Sequence, residues 1–336
     1  MLRLALAALL LGSAPMPDPV PAAPKLLTWP DLTKRLRPKA DATIPYGPGP
    51  QQKIDLWLPA EPRQTGRPHP VVLMVHGGCW QTSIADRTLM DWVAADLREA
   101  GVAVWNIDYR GVDRAGGGYP GTFADAAAAA DALRAHAARY HLDTANVVAV
   151  GHSAGGHLAL WLAARARLPK DSPLRTPNPL PIAQVISLGG LPDLEATAAS
   201  PDNGCGTEVI AKLTGNRFAD TSIPRLLPLG LPQHLVNGRE DKIIPYRMAT
   251  DYVAKARASG DTVDLHTVPA TGHVELIAPE TPAWAQTKRL ILAALLSPPR
   301  TRSGRGTSEA GGGAKTPGIT PAAIPLHHAP AKLGED

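Results

Sequence analysis

Gly151-His152-Ser153-Ala154-Gly155 is the stretch from which the rest of the chain is read. The residues before it, Asn146-Val147-Val148-Ala149-Val150, are mostly apolar and β-branched, as in a buried strand. The residues after it, Ala154 to Ala166, are rich in alanine and leucine and favour helix. A serine between the two sits on a sharp strand-to-helix turn, flanked by glycines where side chains would crowd it. Its hydroxyl then stands above a sheet at a helix N-terminus, which is the geometry of a nucleophile elbow. G-x-S-x-G is common by chance, so the segments that follow the other strands have to carry the reading.

Outward from the elbow, strands and helices alternate. Val71 to Val75, Val102 to Ile107, Ala183 to Leu188, Gln233 to Val236 and Val263 to Val268 read as further strands. Ile54 to Leu58 alternates apolar and polar, which predicts an antiparallel strand with one solvated face. Between them, Asp86 to Ala100 reads as a helix stopped by Gly101, and Tyr246 to Ser259 as one stopped by Gly260. Phe123 to Tyr140 is preceded by Thr122, with Asp125 at capping-box spacing, and Pro282 to Leu296 closes the series. This alternation predicts an α/β fold, a mostly parallel central sheet with helices on both faces. Ligands of such sheets bind at the carboxyl ends of the strands.

The ends of the chain read differently. Residues 1–22 look like an export signal: Arg3 supplies a positive start, Leu4 to Leu11 an apolar stretch too short to span a bilayer comfortably, and small residues follow. The mature protein is therefore expected in the periplasm or outside the cell, with no membrane span. Residues 23–50 are proline-rich and read as an extended lead-in that adds nothing to the chemistry, 51–297 as the folded domain, and 298–336 as a disordered tail. The net charge of +4 is mild and lysine and arginine are scattered, apart from a short run in the tail, so no nucleic-acid partner is expected. No Cys/His spacing resembles a metal site, and His327-His328 lies in the polar tail. The two cysteines, Cys79 and Cys205, permit one disulfide in an exported protein; two independent small buried side chains fit the sequence equally well.

A serine hydroxyl needs a histidine to take its proton and an acid to orient that histidine. His273, in Thr271-Gly272-His273-Val274-Glu275, follows the last strand, and the order serine, acid, histidine singles it out. The acid is expected after the preceding strand. Asp241 is the first choice, Glu240 the second and Asp193 the third, while Asp264 lies within a strand and suits the role less. The developing oxyanion needs backbone N–H donors. Gly77 and Gly78, in His76-Gly77-Gly78-Cys79-Trp80, let the backbone approach closely, and the N–H of Ala154 follows the nucleophile. Cys79, Trp80 and Tyr119 are candidates for the substrate pocket, although Trp80 would serve equally well packed beneath its loop. His152 and His157 read as locally bonded or structural, and Asp108-Tyr109-Arg110 as an anchor for loops.

Together, His76-Gly77-Gly78-Cys79-Trp80, Gly151 to Gly156, Gly238 to Pro245 and Gly272-His273 resemble the α/β-hydrolase superfamily, in particular its small esterase-like branch of bacterial carboxylesterases and kynurenine formamidases. The resemblance runs from about Lys53 to Leu296. It implies Ser153 as nucleophile, Asp241 as acid, His273 as base, and an oxyanion hole from the Gly77/Gly78 region and Ala154. It also implies a cofactor-independent serine hydrolase acting on small-molecule esters or amides. Cys79 is a departure, at a position where relatives often carry glycine, tyrosine or another residue. Leu191 to Leu231 is expected to form a modest cover over the site, which a Cys79–Cys205 bond would staple to the oxyanion loop. Three other activities fit the same motifs: an arylformamidase, a prolyl-oligopeptidase-like peptidase, and a non-catalytic binding module on the same fold.

Overall fold

A computed structural model describes residues 25–60 and 66–296. The expected export signal, the expected tail and His327-His328 lie outside the described residues.

The chain order is α1 (Trp29–Thr33), β1 (Ala42–Pro45), β2 (Lys53–Trp57), β3 (Val71–Val75), α2 (Asp91–Glu99), β4 (Ala103–Ile107), α3 (Gly121–Tyr140), β5 (Val148–His152) and α4 (Ala154–Ala164). It continues through β6 (Gln184–Leu188), α5 (Leu194–Ala198), α6 (Thr207–Thr214), α7 (Phe218–Thr221), β7 (Gln233–Gly238), α8 (Arg247–Ala258), β8 (Val263–Val268) and α9 (Pro282–Leu296). The strands form one sheet in the order β1-β2-β4-β3-β5-β6-β7-β8. β2 is antiparallel to both β1 and β4, and every pairing from β4 to β8 is parallel.

Side-chain alternation explains why the central strands are apolar throughout. Val71, Leu73 and Val75 of β3 point into one core, shared with Phe123 of α3, Leu158 of α4 and Tyr252 of α8. Val72 and Met74 point into the other, with Leu32 of α1, Val93 of α2 and Trp284 of α9. A parallel strand covered by helices on both faces has no polar side to show. Truncating such a side chain, Leu73→Ala for example, removes about 2–5 kcal/mol of stability.

Three local expectations are corrected. The lead-in is structured: α1 and β1 both lie upstream of residue 51, and β1 pairs with β2 from Ala42 opposite Leu56 to Pro45 opposite Lys53. β2 is antiparallel as expected, but buried from Ile54 to Trp57 rather than half solvated. Its one charged inward residue, Asp55, is tolerated because Arg87 pairs with it at 2.7 Å. The capping box at Thr122 and Asp125 does not form. α3 starts two residues earlier, at Gly121, Thr122 donates to the Arg110 carbonyl, and Asp125 grips the Arg110 guanidinium instead. A tertiary ion pair has taken the carboxylate that local capping would have used.

Candidate active site

β5 delivers Ser153 to the carboxyl end of the sheet. Ser153 has φ 54° and ψ −122°, a conformation that non-glycine residues rarely adopt. Its N–H donates to the Leu188 carbonyl at 2.8 Å, which ties the turn to β6. The flanking glycine is set by close approach: a Cβ on Gly155 would stand 2.2 Å from the Val75 carbonyl oxygen. α4 therefore begins pressed against β3, and only this lets the chain reverse so tightly at the serine.

β7 and β8 deliver the acid and the histidine. Asp241 Oδ2 lies 2.6 Å from His273 Nδ1, with both side chains buried. Asp241 Oδ1 accepts from the N–H groups of Ile243 at 2.8 Å and Ile244 at 3.0 Å, so the carboxylate cannot turn away. The second and third choices for the acid are engaged elsewhere. Glu240 accepts from the Thr271 N–H, while Asp193 caps α5 and pairs with Lys255. Asp264 lies away from the pair, on β8 opposite His234. His152 bonds through Nε2 to the His273 carbonyl at 3.1 Å. Burial, with the neighbouring His273 as the next cause, holds the His152 imidazole well below its usual pKa, so it stays neutral.

Ser153 and His273 line one cleft of about 300 Å³, together with Gly78 and Cys79. The backbone beside the serine is shaped for close contact. A Cβ on Gly77 would lie 3.1 Å from the Ser153 Cβ, and Gly78 takes φ +100°. Cys79 and Trp80 continue in the left-handed region at φ 51° and 53°. Two structures hold this loop against that strain. His76 bonds to the Gly77 carbonyl and to Asp108, stacked on Tyr109 at 4.3 Å, and Cys79 is disulfide-bonded to Cys205. Gly78 and Cys79 of this loop both line the cleft beside Ser153.

Not every expected pocket residue lines this cleft. Trp80 is fully buried and packs edge-on against His157, so it supports the loop from beneath. Tyr119 donates to Asp220 at 2.6 Å, away from the cleft. His157 bonds to the Thr221 carbonyl, and burial pulls its imidazole down to about 4. The Leu191–Leu231 segment carries α5, α6 and α7 and reaches the cleft at Gly204, beside the disulfide.

Two residues had no sequence signal. Trp29 of α1 forms an apolar wall, its ring 6.2 Å from His152 and 6.1 Å from His273 in edge-on geometry. Buried Glu275 bridges distant segments, accepting from the N–H of Leu27 through one oxygen and from the N–H of Gly272 at 3.0 Å through the other. It thereby straps the lead-in to the histidine loop.

Comparison with known proteins agrees with this architecture. Residues 54–255 match the BD-FAE family. A probable isoprenylcysteine alpha-carbonyl methylesterase of Arabidopsis thaliana is 33% identical over 122 residues, 36% of this chain and 24% of that one. A second, from Oryza sativa subsp. japonica, is 30% identical over 117 residues, 35% of this chain and 27% of that one. The chain thus spans about a quarter of the length of these relatives. Among solved structures, a truncated carbohydrate esterase from gut microbiota superposes with TM-score 0.65 at 17% identity, covering 78% of this chain and 100% of that one. Esterase B of Lactobacillus rhamnosis superposes with TM-score 0.63 at 21% identity, covering 76% and 84%. At such identities the superpositions speak for the fold alone, and the family match covers more than half the chain: the protein belongs to the BD-FAE family and is esterase-like, with the α/β-hydrolase fold.

Proposed function

We propose that the protein is an exported serine hydrolase that cleaves carboxylic esters through an acyl-enzyme. The observation that carries this reading is the 2.6 Å contact between Asp241 and His273 in the cleft that Ser153 also lines. Asp241 accepts the Nδ1 proton of His273, leaving the Nε2 lone pair to take the Ser153 proton as Oγ attacks the ester carbonyl. The N–H groups of Ala154 and of the Gly77–Gly78 loop stabilise the oxyanion, each typically worth a factor of ~10²–10³. His273 then returns the proton to the departing alcohol, and a water activated by the same histidine releases the acid.

The cleft walls contributed by Trp29, Ile84, Leu89 and Ile243 are apolar. A volume of about 300 Å³ is at the small end for ligand pockets. Both features favour a compact apolar acyl or aryl group. The relatives named as methylesterases support an ester rather than a formamide as substrate. The Leu4–Leu11 stretch and the Cys79–Cys205 bond together support an oxidising compartment outside the cytoplasm. No described helix is long and apolar enough to cross a membrane. Ser153→Ala should abolish hydrolysis of p-nitrophenyl acetate and labelling by a fluorophosphonate, with unfolding unchanged. Undiminished turnover in that variant would reject the assignment.

A further inference from the structure

Away from the cleft, the pairing of β7 with β8 brings His234 to two side chains that lie 30 and 32 positions later in the sequence. His234 on β7 faces Asp264 directly across the parallel register, and His266 lies two residues further along β8, on the same face. His234 Nδ1 is 3.1 Å from His266 Nε2 and 3.5 Å from Asp264 Oδ2. One ligand atom from each residue falls within 4.8 Å of the others.

We propose that His234, Asp264 and His266 form a binding site for a divalent transition-metal ion of the zinc class. Two imidazole nitrogens and a carboxylate oxygen are a ligand set that suits such ions. The spacing fits as well. Ligands about 2.05 Å from a tetrahedral zinc lie about 3.3 Å from each other, and the two measured separations fall on either side of that figure. A plain imidazole–imidazole hydrogen bond accounts for the 3.1 Å contact, but not for a third donor converging on the same point. Asp264 pairs with no lysine or arginine among the described residues, so its charge is free to meet a cation.

The side-chain exposure of 57% at Asp264 gives an ion direct entry from solvent, with water filling the fourth position. His266 must carry its proton on Nδ1 to offer Nε2 to the metal. Gln286 of α9, whose amide oxygen accepts from Arg289, turns its NH₂ toward that Nδ1 at 3.4 Å, so metal binding through Nε2 moves the imidazole proton to Nδ1 and displaces this contact. A bound ion would clamp β7 to β8, whose carboxyl ends lead to Asp241 and His273. It takes no part in the chemistry at Ser153.

Isothermal titration of the full chain with ZnCl₂ at neutral pH tests the site. The wild type should take up zinc in the micromolar range, and its unfolding temperature should rise as it does so. His234→Gln, His266→Gln and Asp264→Asn should each weaken uptake by at least about tenfold. Asp264 is exposed, so Asp264→Asn leaves the fold intact and keeps the test valid if a histidine variant misfolds. Fluorophosphonate labelling without zinc should be equal in wild type and Asp264→Asn. No uptake by the wild type, or equal affinity in the wild type and Asp264→Asn, would overturn the proposal.

Discussion

Replacing Asp241 by asparagine changes one oxygen to an NH₂ and almost nothing in size, and the surroundings dictate which way the amide turns. If the NH₂ faces Ile243 and Ile244, their two N–H groups, now bonded at 2.8 and 3.0 Å, lose their acceptor. At about 1–3 kcal/mol for each unmatched buried donor, that orientation costs about 2–6 kcal/mol. If the NH₂ faces His273 instead, the imidazole shifts its proton from Nδ1 to Nε2 and accepts at Nδ1. The second orientation is cheaper, so it prevails. Nε2 then has no lone pair for the Ser153 proton. The expected outcome is a kcat lower by about 10⁴, or about 5.4 kcal/mol in the barrier at 1.36 kcal/mol per decade. Loss of the charge-assisted bond should cost the fold only about 2 kcal/mol. Steady-state hydrolysis of p-nitrophenyl acetate and urea unfolding measure the two effects separately. Glu240→Gln, which disturbs only the brace to Thr271, is the control. An Asp241→Asn enzyme no slower than Glu240→Gln would refute the assignment of Asp241.

Trp29→Ala removes an apolar wall worth about 1.5 kcal/mol, so KM for an aromatic ester should rise about tenfold with kcat little changed; an unaltered KM would show that α1 does not line the bound substrate. The Cys79–Cys205 bond closes a loop with a sequence separation of 126, for which chain entropy gives an upper value of about 5 kcal/mol. The double serine variant should lose about 2–5 kcal/mol in urea unfolding, and equal stability under oxidising conditions would discount the bond. His157 titrates at about 4 in the fold because it is buried, against about 6.5 when unfolded. Between those values the unfolded chain binds the extra proton, so this contribution is complete above about pH 6.5 and disappears as pH falls toward 4. Over that interval the wild type should lose roughly 3 kcal/mol more than His157→Gln, measured as unfolding free energy against pH; parallel profiles would contradict it.

The elbow was legible because its parts are neighbours in the chain: an apolar strand, a serine between glycines and an alanine-rich helix. The alternation of strands and helices was legible for the same reason, since each element carries its own periodicity. Even the choice of Asp241 and His273 rested on local order, each lying just beyond a strand. The boundaries were less clear. β5 extends to His152, past the last β-branched residue, because its pairing with β6 continues to Leu188.

The features that escaped the sequence all depend on residues far apart meeting in space. Proline-rich composition hid α1 and β1: Thr28 and Asp31 cap α1 locally, while the sheet edge holds β1 and Glu275 ties down Leu27. The polar alternation of β2 suggested a wet face, and Arg87 made that face dry. Nothing adjacent to Trp80 or Tyr119 told whether they face the cleft.

From sequence alone, then, the α/β fold class and the candidate residues Ser153, Asp241 and His273 could be read, because strand period, helix propensity and the turn chemistry of glycine act over a few residues. Tertiary structure alone brought Asp241 to within 2.6 Å of His273, joined Cys79 to Cys205, set Trp29 over the site and gathered His234, Asp264 and His266. Each of these turns on distances between segments dozens to hundreds of residues apart, which packing sets and local sequence does not record.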